Sequence, residues 1–135
     1  MTPDSDVGPK ISVLPLGAGT LRDSLWRIEL RVTNDDALPI TLLTAWLPHA
    51  RFRADEQWFD GMAPLNPGER VTLSFDAEFD EPPGTDVQNG FVIIRVEWND
   101  GVWRVLTRMA VASGAIGEPT VRVETVSAHR VGFSG

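Results

Sequence analysis

Two histidines, one acidic run and one pair of adjacent aromatic rings are the parts of this sequence with the types and spacing to do chemistry. His49 and His129 are the only histidines. Neither sits in a GxSxG, HExxH or HxE setting, so no nucleophile and no zinc ligand set follows. An acid–base pair of His49 with Asp55 or Asp60 competes with a plainly solvated loop histidine, and the latter is adopted. The run "DAEFDEPPGTD" supplies Asp76, Glu78, Asp80, Glu81 and Asp86. On a strand the first three would share one face at about 7 Å between neighbours, a row and not the converging cage a hard cation needs. The expectation is a solvated acidic strand end with no metal; whether Asp86 completes a calcium site from its loop stays open. No cysteine is present, which excludes disulfides, thiolate ligands and a cysteine nucleophile. The chain is therefore expected to be no enzyme and to hold no cofactor.

The stretch "PHARFRADEQWFDGMAPLNPGE" reads as a charged connection carrying Trp58 and Phe59 side by side. Adjacent rings offer contact area at little entropic cost, as a stacking platform for a sugar or for a partner's side chain. The competing reading has Phe52 and Phe59 plugging one end of the fold while Trp58 covers its edge.

Around these residues the chain must build a scaffold, and 135 residues suffice for one domain. An apolar fraction of 42% against 23% charged fits a packed core. The net charge of −7 opposes binding to nucleic acid and to anionic lipid. Eleven of the 12 basic residues are arginine, Lys10 being the exception. No apolar run approaches the ~18 residues of a membrane span, and "MTPDSDVGPK" lacks the basic start and apolar stretch of a secretory leader. A cytoplasmic location is expected.

The segment "VIIRVEWNDGVWRVLTRMAV" alternates Val92, Ile94, Val96 and Trp98 against Arg95 and Glu97. After "NDG" the apolar set becomes Trp103, Val105, Thr107, Met109 and Val111, opposed by Arg104 and Arg108. Period-two alternation on both sides of a turn signal predicts a β-hairpin. A two-residue turn at Asp100-Gly101 would set Trp98 opposite Trp103 and Glu97 opposite Arg104. The outer face would then carry Arg95, Arg104 and Arg108 beside Ile93 and Leu106, the composition that protein interfaces enrich.

"SLWRIELRVTN" and "ERVTLSFDAEF" alternate in the same way. "PITLLTAWLP" is apolar on both faces, "KISVLPL" is a weaker opening strand limited by Pro15, and "TVRVETV" closes the series. Between them lie Gly-, Pro- and Asp-rich turns, and no helical periodicity appears. The pattern predicts an all-β fold, an immunoglobulin-like antiparallel β-sandwich of seven to eight strands, with a small β-barrel as the alternative. Residues 1–9 are expected to be a flexible lead, 10–127 the sandwich, and 128–135 a tail that packs or binds a partner. Phe133, within "SAHRVGFSG", favours a tail that is tied down.

"IELRVTNDDALPITLLTAWL" followed by "PLNPGERVTLSF" resembles the immunoglobulin-like β-sandwich modules of prokaryotes, the CARDB-type adhesion domains and related accessory sandwiches among them. The likeness covers roughly residues 24–111, and the chain lacks the cysteine pair of antibody-type domains. The resemblance implies a non-catalytic binding or spacer module and transfers no functional residue. The expected function is a protein–protein interaction or assembly module, with a separate protein or a second copy as partner. Contacts are expected from Arg95, Arg104, Arg108, Trp58, Phe59 and Phe133. A carbohydrate-binding module using the loop aromatics is the alternative.

Overall fold

The structure, a computed structural model, describes residues 8–131. Eight antiparallel strands follow one another: β1 (Ile11–Arg22), β2 (Leu25–Asn34), β3 (Thr41–His49), β4 (Phe52–Trp58), β5 (Arg70–Glu78), β6 (Asp86–Trp98), β7 (Gly101–Ser113) and β8 (Pro119–Arg130). There is no helix among the described residues. The strands form one sheet in the order β1-β2-β5-β4-β3-β6-β7-β8. With β1, β2, β5 and β4 on one side and β3, β6 and β7 on the other, this is the order of an immunoglobulin-like sandwich, extended by β8.

The two layers join at β4. It ladders along β3 but meets β5 in the single pair Arg53↔Glu78. The sheet therefore folds over at β4 until its edges, β1 and β8, lie beside each other without a ladder between them. The result is a sandwich close to barrel closure. Its interior is the alternate set of each strand: Ile28, Leu30 and Val32 from β2, Leu73, Phe75 and Ala77 from β5, and Val92, Ile94 and Val96 from β6. Phe52 and Phe79 meet edge to face, centroids 6.0 Å apart, both fully enclosed.

Sequence alternation places β2, β5, β6 and β7 well, and four expectations change. The stretch read as a charged connection after Pro48 contains β4. Only Phe52 and Ala54 of that strand point inward and are buried, so at the fold-over point it shows water mostly charged residues and looks like a loop. The opening strand runs on to Arg22, and bulges after Pro15 and Thr20 absorb its irregular residues. The last strand continues to Arg130, so the start of the expected tail is sheet. At the other end, Gly8 and Pro9 are buried, where a flexible lead was expected. A methyl group on Gly8 would lie 3.0 Å from Trp103 and 3.1 Å from Ala128.

The fifth correction concerns the hairpin. Val96 pairs with Trp103, Trp98 with Gly101, Glu97 with Val102, and Arg95 with Arg104. The turn residues are Asn99 (φ 48°) and Asp100 (φ 60°), both left-handed, the signature of a type I′ turn. Each strand has moved by one residue relative to an Asp100-Gly101 turn. Faces are preserved, but partners change. Trp98 and Trp103 still meet, as a diagonal pair at 5.6 Å and 78°. Gly101, opposite Trp98, has no side chain, and the Arg130 guanidinium lies in the space, 5.8 Å from the Trp103 ring.

The two sequence pieces that carry the resemblance meet in space. Asn34, wholly buried at the end of β2, donates from Nδ2 to the carbonyls of Leu38 (3.0 Å) and Leu65 (2.8 Å), and its Oδ1 accepts from the Asp36 amide (2.7 Å). Its own backbone carbonyl accepts from Gly68 of the "NPGE" turn at 2.8 Å. Gly68 has φ 85°, which explains a glycine there.

Candidate interaction surface

The outer face of the β3-β6-β7-β8 layer is where chemistry-bearing residues gather. Its rows follow from register. One row crosses the layer as Trp46–Ile93–Leu106–Ser127, with the first three half-buried. The row on one side is Thr44–Arg95–Arg104–His129; on the other, Phe91–Arg108–Thr125. An apolar strip is thus bracketed by basic residues.

Arg95 and Arg104 are direct cross-strand partners, and neither forms an ion pair among the described residues. Like charges set opposite each other in a sheet destabilise it, by a few tenths to about 1 kcal/mol. The Nε of Arg95 is also buried without a hydrogen-bond partner. Arg108 differs, because it reaches Glu124 on β8 at 3.6 Å. His129, in the row of the two arginines, pairs its Nε2 with the Ser127 hydroxyl at 3.1 Å.

Arg27, Arg51, Arg53 and Arg122 do pair with acids. Asp76 meets Arg27 at 3.8 Å, and Glu78 meets Arg53 at 2.6 Å. Glu81 takes a bidentate grip from Arg51, whose Nε donates at 3.1 Å; that hydrogen bonding holds the Glu81 carboxyl below its ordinary pKa. Three acids of the run from Asp76 to Asp86 thus go to three separate arginines. No group of three potential metal-ligating side chains gathers among the described residues. His49 accepts the Arg51 amide on Nδ1 at 3.0 Å inside the β3–β4 turn, and so serves backbone geometry.

Of the two adjacent aromatics, Phe59 packs against the core while Trp58, at the end of β4, is 61% exposed. With Phe52 and Phe59 both turned to the core, this is the plugging arrangement, and Trp58 alone is left for a stacking platform. Phe133 lies outside the described residues. Sequence reading missed Trp46 as a companion of the arginines. Its signal was the two-faced apolarity of "PITLLTAWLP", which gives β3 a half-buried outer face as well as a buried inner one. No helix among the described residues is long and apolar enough to cross a membrane.

No family model, curated protein or solved structure matches this chain.

Proposed function

We propose that this chain is a non-catalytic interaction module that docks the outer face of its β3-β6-β7-β8 layer onto a protein partner. The partner would present a carboxylate between apolar side chains. The observation that carries the reading is the uncompensated Arg95–Arg104 pair, with a buried, unpartnered Arg95 Nε, in a chain that has 19 acidic residues available. Leaving two guanidinium groups side by side costs stability, and a carboxylate held between them would remove the repulsion. Trp46, Ile93 and Leu106 alongside supply the apolar, aromatic component that interface centres favour. A cytoplasmic setting belongs to the same reading.

The test compares proteins that co-purify from the native cell with the wild-type chain and with an Arg95→Glu/Arg104→Glu variant of equal thermal midpoint. A near-stoichiometric partner that falls at least tenfold with the variant is the expected result. A variant that keeps every partner overturns the proposal. The exposed Trp58 supports a second reading, carbohydrate binding at the β4 end. A glycan panel titrated against wild type and Trp58→Ala tests it, and binding that survives the substitution excludes Trp58 as the platform.

A further inference from the structure

The chain carries on its own surface the kind of group that the arginine face asks for. Glu56 is exposed on β4 and forms no ion pair among the described residues. Ala45 pairs with Gln57 and Leu47 with Ala54, so Trp46 of β3 stands opposite two residues of β4, Asp55 and Glu56. That is a bulge. Counted forward from Arg53, Asp55 lies on the outer face; counted back from Trp58, which pairs with Thr44, Glu56 lies there too. Arg53 already holds Asp55 at 2.7 Å, and Glu56 is left over. It is a carboxylate between two tryptophans, Trp58 two residues along the strand and Trp46 across from it.

Trp58 also extends the arginine row. Through Thr44 the row reads Trp58–Thr44–Arg95–Arg104–His129, one residue from each of β4, β3, β6, β7 and β8. At about 4.8 Å per strand, Glu56 and Trp58 lie roughly 12 Å from the midpoint of the arginine pair. A twofold axis halfway between, parallel to the strands and on the β6 side of β3, maps one group onto the other. Rotation about that axis turns the outer faces of two copies toward each other with their strands aligned, a standard geometry of sheet-on-sheet packing. Each row then faces its own counterpart. Trp46 and Ile93 meet across the centre, while Arg95 and Arg104 reach Glu56 and Trp58 of the other copy, a charge pair and a cation–π contact. Such a contact is isologous and closes at two copies. It is centred away from the corner at which the described chain begins and ends, where Gly8 meets Trp103 and Val131 meets Val102.

We propose that two copies of the chain pack these outer faces together, each lending its Glu56 to the Arg95–Arg104 pair of the other. This dimer rests on the reading of the arginine face as a docking surface, and supplies its partner. Four strands across and about six residues along give roughly 400 Å² of flat contact per copy. That is the small end for specific interfaces, so the association is expected to be weak.

Sedimentation velocity over micromolar to millimolar chain tests it. Wild type is expected to approach twice the 14.8 kDa of the chain as concentration rises. Glu56→Arg sets cation against cation, and Arg95→Glu/Arg104→Glu sets acid against acid, so each variant alone weakens association at least tenfold. An equimolar mixture of the two restores both opposite-charge contacts, and the doubled mass returns. Glu56→Gln, at an exposed side chain, is the milder variant, weakening the dimer while keeping the fold. Near-UV circular dichroism checks that each variant is folded. Wild type that stays monomeric at millimolar concentration overturns the dimer alone, and leaves a foreign carboxylate to the co-purification test. Single variants that associate as wild type does, or folded variants that fail to pair when mixed, overturn it as well.

Discussion

Replacing Asn34 by alanine is the sharpest test of how this fold is held at the end of β2. The side chain makes three hydrogen bonds, two donated and one accepted, from a position with no solvent exposure. At a net value of about 1 kcal/mol per bond, their loss amounts to roughly 3 kcal/mol. Two circumstances bound that figure. The Leu65 carbonyl keeps the Ile40 amide at 2.9 Å, so it is not orphaned. Leu38 is 41% exposed, so water can reach its carbonyl region. Both pull the cost down, while the small void left behind pushes it up by an amount that scales with its volume. The expected loss is about 2–4 kcal/mol. Urea unfolding followed by tryptophan fluorescence reads it: with a slope of about 2 kcal/mol/M, the midpoint falls by roughly 1–2 M. Asn66→Ala, an exposed control in the partner turn, changes stability by less than about 0.5 kcal/mol. A loss below about 1 kcal/mol for Asn34→Ala would mean that water replaces the bonds and that Asn34 does not bind the two turns together.

Asp100→Gly relieves a left-handed non-glycine residue in the type I′ turn and is expected to raise stability by about 0.5–1 kcal/mol, read by thermal unfolding. Gly101→Ala is expected to lower stability, since the new methyl would lie 3.1 Å from Arg130 Nη2 and 3.3 Å from Trp103 Nε1; stabilisation by this change would refute that packing. For Asp36, burial disfavours the charged carboxylate. The Lys10 and Leu38 amides, which donate to it at 3.0 and 3.1 Å, outweigh it, and the pKa sits below the ordinary 3.8. A depressed folded pKa gives stability that is present above 3.8 and is lost as pH falls through the lower folded value. Urea midpoints between pH 5 and pH 2 should therefore fall less steeply for Asp36→Asn than for wild type; identical slopes refute the assignment.

The hairpin shows how far alternation reaches. It states which residues share a face, and on that the sequence and the fold agree from Val92 to Val111. It cannot separate two registers that differ by one residue on each strand, because both keep every face intact. Only turn chemistry separates them. Asn99-Asp100 and Asp100-Gly101 both tolerate positive φ, and the chain uses the first. The consequence reaches the candidate surface: Glu97 moves away from Arg104, and Arg95 takes its place. β4 was hidden for a different reason. Its seven residues meet a full ladder on one side and a single pair on the other, so charged side chains cost it little. The arginines were legible because they alternate with apolar residues; their lack of compensating acids is a property of tertiary placement.

Gly8 nestles against Trp103 and Ala128, and the Val131 amide donates to the Val102 carbonyl at 2.8 Å. The backbone thus arrives and departs at one corner. Force applied between these two points would peel that corner and leave most of the ladder unloaded. A circular permutant that links them and opens at the exposed Pro82–Gly84 turn should keep the fold, so the module could hang from another protein by a single stalk.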